Sequence, residues 1–371
     1  MKVLVAVCRY FVGILFIFSG FIKANDALGF AYKLEEYFAA FHIQWLVPAA
    51  LFLAILICIF EMLLGFMLIL GARIKTTMWL LFLMIAFFTF LTFYTAYYHE
   101  VTECGCFGDA IPMTAWQSFA KNIVLSTMIL ILFFQKKHIR PMLVKTGENV
   151  AVVIFALFSL GFPLYTYNYL PVLDFRPYKV GTNIIESTKG TPDVLKYFYT
   201  LKNKKTGETK EFDAWPKNWD TEWDYIGNHT KIVKKGIQAA ILDFSISNVD
   251  GKDITDSILA NPNYNFLLIE YDLAKSNLGT QNKINELANS CDKNHIKFAA
   301  LTGSDNDQIK NFRHQENTMY PFYVTDGTDL KTMIRSNPGL ILMKNGVIIA
   351  KWHFHSIPTF NKFNEKYLKG Q

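Results

Sequence analysis

Five long apolar segments lie within the first 170 residues of the 371-residue chain. A helix needs about 20 apolar residues to cross the hydrocarbon core of a bilayer. The segments lie at 3–22, 46–70, 76–97, 116–134 and 150–170. The sequence therefore predicts an α-helical membrane bundle of five transmembrane helices, with the lipid bilayer as its first partner.

After residue 174 the chain becomes polar and is rich in Asn, Lys, Asp and Thr. This part is long enough to bury a core of its own, so it is predicted to be soluble. The net charge of +6 is spread over both halves of the chain, without the basic stripe that is typical of nucleic-acid binding. We therefore expect no nucleic-acid partner.

The positions of lysine and arginine predict the orientation of the spans. The connections around Arg73 and Lys136 are basic, whereas the connections at 23–45 and 98–115 carry acidic residues. Basic connections stay in the cytoplasm by the positive-inside rule. The N-terminus is therefore expected in the cytoplasm and the soluble part in the periplasm, in a bacterial inner membrane.

Two ionisable residues fall inside the predicted spans, where an unpaired charge is costly. Arg9 and Glu61 each lie about nine or ten residues from the cytoplasmic end of their spans, and at about 1.5 Å rise per residue they would share one depth. An Arg9–Glu61 ion pair is therefore predicted. It could serve packing alone, or it could act as a polar anchor for a quinone or a proton step.

Two of the five cysteines form Cys104-Gly105-Cys106 in the second outer connection. Neighbouring thiols in an oxidising compartment tend to form a disulfide, and a one-residue spacer makes a strained, labile ring. Three roles fit the motif. Cys104 and Cys106 could be a catalytic redox pair, they could be a structural disulfide, or they could bind a metal with His99 and Asp109. The ligand set for a metal is incomplete, so no metal is predicted.

The order and spacing of short motifs resemble the DoxX family of small bacterial membrane proteins. These motifs are Arg9-Tyr10-Phe11-Val12-Gly13, Phe18-Ser19-Gly20-Phe21-Ile22-Lys23 and Glu61-Met62-Leu63-Leu64-Gly65. The segment Cys104-Gly105-Cys106-Phe107-Gly108 resembles the MauE-like branch of that superfamily. The resemblance covers residues 1–140 and implies a four-helix core, to which residues 141–174 add the fifth span and a connector.

The resemblance also implies a function. MauE-like proteins are associated with maturation of a disulfide-rich periplasmic enzyme, and the bundle is similar to quinone-linked membrane proteins that form disulfides. This chain lacks the Cys-x-x-Cys and the second cysteine pair of those oxidases. The cofactor is therefore unknown, and a quinone is one candidate.

The soluble part divides into a β-rich entry segment at 175–235 and a domain at 236–371. The predicted order β-α-β-α-β-β-α of that domain resembles the thioredoxin fold, and Asn337-Pro338-Gly339 takes the position of the fold's cis-proline. Where that family has Cys-x-x-Cys, this chain has Leu273-Ala274-Lys275-Ser276-Asn277-Leu278. The domain is therefore expected to bind or position a protein without redox chemistry of its own.

Two functions fit these features. In the first, the chain supports periplasmic thiol–disulfide chemistry or maturation of an envelope partner through Cys104 and Cys106, and the soluble domain holds the client. In the second, it is a non-enzymatic subunit of an envelope complex with a thioredoxin-like docking domain. Both functions require a periplasmic or membrane protein as partner.

Overall fold

The computed structural model of the chain describes residues 2–98, 101, 107–217, 219–236 and 239–369. The N-terminal part is a helical bundle, in which five helices are long and apolar enough to cross a membrane and the second helix is short. The helices are α1 (Lys2–Asn25), α2 (Ala27–Ala40), α3 (Ala50–Leu70), α4 (Ile74–Tyr98), α5 (Ala115–Phe134) and α6 (Lys145–Tyr169). The prediction of five spanning helices is confirmed.

Helices α1 and α3 pack closely because glycines lie at their contact. A Cβ at Gly65 would lie 2.6 Å from the backbone oxygen of Gly13, and a Cβ at Gly20 would lie 2.9 Å from Cβ of Glu61. Helices in lipid associate through such close packing, because lipid tails are as apolar as the side chains. The glycines therefore fix how far α1 is shifted along α3.

The predicted Arg9–Glu61 ion pair is wrong. Arg9 instead donates to the backbone oxygens of Leu68 and Ile69, at 3.0 and 2.7 Å. These carbonyls belong to the last turn of α3, which lacks hydrogen-bond partners within the helix and attracts a cation. The prediction assumed that the cytoplasmic ends of the two spans lie at the same depth. The glycine contact instead shifts α1 along α3, so that Arg9 lies beside the C-terminal end of α3 and Glu61 lies beside the C-terminal end of α1.

The soluble part begins after α6 with a short helix and a small sheet. The elements are α7 (Ile184–Ser187), β1 (Val194–Asn203), β2 (Thr209–Phe212), α8 (Trp219–Glu222) and β3 (Trp223–Lys234). The three strands form an antiparallel sheet in the order β2-β1-β3.

A second sheet forms the centre of the remaining domain. The elements are α9 (Thr255–Leu259), β4 (Asn265–Ile269), α10 (Gln281–Lys293), β5 (Lys297–Thr302), α11 (Asn306–Glu316), β6 (Phe322–Val324), α12 (Gly327–Met333), β7 (Gly339–Lys344), β8 (Val347–His353) and α13 (Phe360–Phe363). The sheet order is β6-β5-β4-β7-β8, with β4, β5 and β6 parallel and β7 antiparallel to both of its neighbours.

This domain has the predicted thioredoxin-like fold. All of β4 is buried because helices cover both faces of the sheet, which explains its continuous apolar run. The peptide bond between Asn337 and Pro338 is cis, at the position that the resemblance implies. The predicted fold class, a membrane bundle followed by a thioredoxin-like α/β domain, is therefore confirmed.

Candidate functional site

A cavity of about 90 Å³ lies between the bundle and the soluble domain. We call it the interdomain cavity. The end of α1 and the start of α2 line one side, where Lys23 and Asp26 lie. Gly108, two residues after Cys106, lines it as well, and Arg176 and Arg335 line it from the soluble part. A volume of this size has room for several water molecules.

A buried ion pair between α1 and α3 lies on the bundle side of the cavity. The Lys23 ammonium lies 2.8 and 2.7 Å from the two carboxylate oxygens of Glu61, and the two side chains are only 3% and 4% exposed. Lys23 also donates to Ser19 Oγ at 2.9 Å, and its Nζ lies 4.8 Å from the centre of the Phe88 ring. Charges buried within a membrane bundle are costly unless paired in this way, and they commonly mark functional sites.

Cys104, Cys106 and His99 lie outside the described residues, but residues on both sides of the cysteine motif are described. Val101 is buried in an apolar cluster with Phe88, the aromatic ring that also contacts Lys23. The residue that begins the motif's segment is thus anchored beside the buried ion pair.

The other end of the segment is anchored on α1 and α5. The buried Phe107 ring lies 5.7 Å from the ring of Phe18, and the Lys121 ammonium lies 4.3 Å from its centre. Such a cation over an aromatic face is attracted by the ring's electrons. In the part of the chain that the structure describes, no group of three or more His, Cys, Asp or Glu side chains could hold a metal.

A second ion pair at the cavity joins the bundle to the soluble domain. Arg335 Nε lies 2.9 Å from each carboxylate oxygen of Asp26, which also caps α2 by accepting from the Gly29 amide. Burial by itself would raise the pKa of Asp26, but the charges of Arg335 and Arg176 outweigh it and hold the pKa below its usual value. The carboxylate therefore stays charged and the two parts stay joined.

A second contact extends this docking. The Tyr32 hydroxyl of α2 donates to the Tyr271 hydroxyl at 3.1 Å, and the Lys331 ammonium lies 5.0 Å from the Tyr32 ring centre. Tyr271 follows β4, and Arg335 comes just before the cis-proline. The face of the thioredoxin-like domain that carries the cis-proline is therefore placed against the bundle.

The contact between the soluble domain and the bundle depends on Gly29, which lies beside the Asp26–Arg335 ion pair. A Cβ at Gly29 would collide with the Asp26 carboxylate and would lie 2.7 Å from Arg335 Nη2. Gly29→Ala should therefore loosen the domain and speed hydrogen exchange of the backbone at 335–338. Gly161→Ala in α6 is the matched control, because among the described residues a Cβ there would meet no atom within 4 Å beyond its chain neighbours and the nearby backbone of its own helix. Equal exchange rates in the two variants would show that Gly29 does not hold the domain in place.

The position where thioredoxin-like proteins carry their dithiol holds a serine and a buried acid. Ser276 Oγ donates to Glu270 Oε1 at 3.1 Å, whereas Oε2 of that carboxyl is buried with no hydrogen-bond partner among the described residues. Burial raises the pKa of Glu270 to about 8. Cys291 is buried on α10, and burial raises the pKa of its thiol to about 12. This thiol therefore stays protonated and unreactive near neutral pH.

Sequence reasoning missed both ion pairs of the site. Lys23 stood in a recognised motif at the end of the first span, and a cation four residues after Ser19 was the available signal. The Asp26–Arg335 pair joins residues 309 positions apart and left no local signal.

Comparisons with known proteins cover the two parts separately. Residues 1–135 match the family described as methylamine utilisation protein MauE, which is the stretch that ends with α5. No curated protein shows significant similarity to the chain.

Two solved structures are similar to about a third of the chain. One is a candidate protein disulfide isomerase from Bacteroides thetaiotaomicron, 14% identical, covering 34% of this chain and 84% of that one, with a TM-score of 0.28. The other is a cysteine-to-serine mutant of PrxQ from Xylella fastidiosa, 11% identical, covering 34% and 87%, with a TM-score of 0.24. The assignment of a thioredoxin-like fold rests on the strand order and not on these similarities.

Proposed function

We propose that the chain is a protein of the bacterial inner membrane that exchanges disulfides with an envelope partner, or supports that partner's maturation, through Cys104 and Cys106. One observation carries the proposal: the interdomain cavity brings together the end of the cysteine segment, a buried ion pair and the cis-proline face. The match of residues 1–135 to MauE supports it. The basic connections around Arg73 and Lys136 support a periplasmic site.

The exchange needs only the two cysteines and a dithiol client. A client thiolate attacks the Cys104–Cys106 disulfide, so that a mixed disulfide forms and one cysteine leaves as thiolate. The second client thiol then displaces the remaining cysteine. Two electrons and two protons move from the client to the pair. A lipid-soluble quinone is the proposed acceptor, which would take both electrons and both protons and become a quinol.

The buried ion pair would favour this chemistry. Cys104 follows the anchored Val101 by three residues in the sequence. Phe88 connects Val101 to Lys23, whose ammonium lies 4.8 Å from the centre of that ring. A cation near a thiol stabilises the thiolate, which is the reactive form. Lys23 is therefore the proposed source of that stabilisation, with Glu61 holding it in place.

The soluble domain would cover the site. Its cis-proline face is docked on α2 through Arg335 and Tyr271, so α2 occupies that face. A client would reach the cysteines after the domain moves away, or from the side of the cavity.

Trapping tests the proposed exchange. In Cys106→Ser the reverse reaction should stop half-way: the Cys104 thiolate attacks the disulfide of an oxidised client, one client thiolate leaves, and the mixed disulfide persists because the Cys106 thiol that would release the client is missing. Affinity purification from membranes and non-reducing electrophoresis should reveal these adducts, which should disappear on reduction. Cys291→Ser is the control and should leave trapping unchanged.

The second candidate is a non-enzymatic subunit of an envelope complex, which the absence of Cys-x-x-Cys in the soluble domain favours. In that case Cys104 and Cys106 hold the segment together. Neither Cys104→Ser nor Cys106→Ser would then trap a protein, and both would lower stability.

A further inference from the structure

The sheet of β1, β2 and β3 stands apart from the cores of the soluble part. Among the described residues of its strands only Leu201 is buried. Aromatic contacts such as Phe198–His229, with ring centres 5.5 Å apart, connect its strands. A three-stranded sheet that is exposed on both faces has little buried apolar area to stabilise it. The sheet is therefore expected to gain stability from a partner.

The two edges of this sheet differ. β2 forms one edge and has four residues, whereas β3 forms the other edge and has twelve. β3 pairs with β1 along one side, and its other side has no strand partner in the described part of the chain. Natural sheets keep exposed edges short, because unpaired N–H and C=O groups bind another strand. The length of β3 thus indicates that a further strand adds to it.

Charge along β3 indicates which strand this is. Glu222 directly precedes β3 and Asp224 is its second residue, whereas Lys231 and Lys234 lie towards its end. A second β3 running antiparallel would set the acidic end of each strand beside the basic end of the other. Opposite charges across neighbouring strands stabilise a sheet, and like charges oppose the parallel arrangement.

We propose that two copies of the chain associate through β3. The two strands pair antiparallel about a two-fold axis close to Asn228 and His229, in the middle of β3, and form one six-stranded sheet. A two-fold contact of this kind is closed, so association ends at the dimer. The dimer does not depend on the cysteine chemistry.

Cysteine cross-linking tests the dimer. A residue beside the axis faces its own copy, with Cβ atoms about 4.5–5.5 Å apart. Asn228→Cys and His229→Cys are introduced separately into the full chain carrying Cys104→Ser and Cys106→Ser, and membranes are mildly oxidised. At least one variant should give a covalent dimer. Lys210→Cys, on the opposite edge, should give none. No dimer with either central cysteine, or equal dimer with Lys210→Cys, would overturn the proposal.

Charge exchange tests the antiparallel arrangement. Lys231→Glu with Lys234→Glu should abolish the cross-linked dimer, because each acidic end would then face another acidic end. Mixing this chain with a differently tagged chain carrying Glu222→Lys and Asp224→Lys should restore cross-linking between the two. A dimer that is insensitive to the first pair of substitutions, or is not restored by the second, would contradict pairing through β3.

Discussion

Glu61→Gln should destabilise the bundle by about 3–5 kcal/mol, because it leaves the Lys23 ammonium buried without a counter-charge. Lys23→Met should cost a similar amount for the opposite reason. The double variant should cost less than the sum of the two single ones, since it removes both charges. Unfolding of the full chain in detergent gives the three free-energy differences, and a double-mutant cycle gives the coupling.

The chain offers a matched control for this cycle. Lys33 and Glu36 of α2 form an ion pair of the same residue types at 3.0 Å, with side chains 23% and 43% exposed. Water already solvates these charges, so Lys33→Met and Glu36→Gln should each cost at most about 1 kcal/mol. Additive effects of Lys23→Met and Glu61→Gln would show that the contact between them contributes nothing to stability.

Glu270→Gln should stabilise the soluble domain at alkaline pH. Burial raises the pKa of Glu270 from 4.5 to about 8. Between these pH values the folded chain keeps a proton that the unfolded chain releases, so the stability of the unchanged protein falls as pH rises through this window. At about 1.4 kcal/mol per pH unit the loss reaches about 5 kcal/mol above pH 8.

Glutamine keeps an acceptor for Ser276 and has no proton to lose. The variant should therefore match the unchanged protein near pH 4 and exceed it near pH 9. Labelling of the buried Cys291 thiol during urea unfolding of the full chain reports on this domain, since the thiol is exposed only when the domain opens. Glu286→Gln, an exposed change on α10, is the control. Equal urea midpoints for Glu270→Gln and the unchanged chain at pH 9 would rule out the raised pKa of Glu270.

These two predictions concern different halves of the site. The Lys23–Glu61 pair stabilises the bundle side of the interdomain cavity. Loss of this ion pair should also slow any thiol exchange at Cys104 and Cys106. Glu270 lies where the thioredoxin-like domain lacks its dithiol, so its replacement should leave that exchange unchanged. Measuring trapping in both variants therefore separates a role in the chemistry from a role in folding.

The sequence by itself determined the five spanning helices and the order of helices and strands in the thioredoxin-like domain. Both follow from local properties: the length of an apolar run decides whether a helix crosses the bilayer, and short apolar runs between turn residues mark strands. The absence of thiols after β4 could likewise be read from a single segment, whereas the position of the cis-proline was implied by the resemblance to the thioredoxin fold.

Only the tertiary structure decided which charges meet. The partner of Glu61 depends on the shift between α1 and α3, which the contact of Gly13 with Gly65 fixes and which no local pattern records. The docking of Arg335 on Asp26 joins parts separated by 309 positions, and it became visible only once both parts had folded and packed. Ion pairs need atoms within about 4 Å of each other, so an error of one or two helical turns in register is enough to assign the wrong partner.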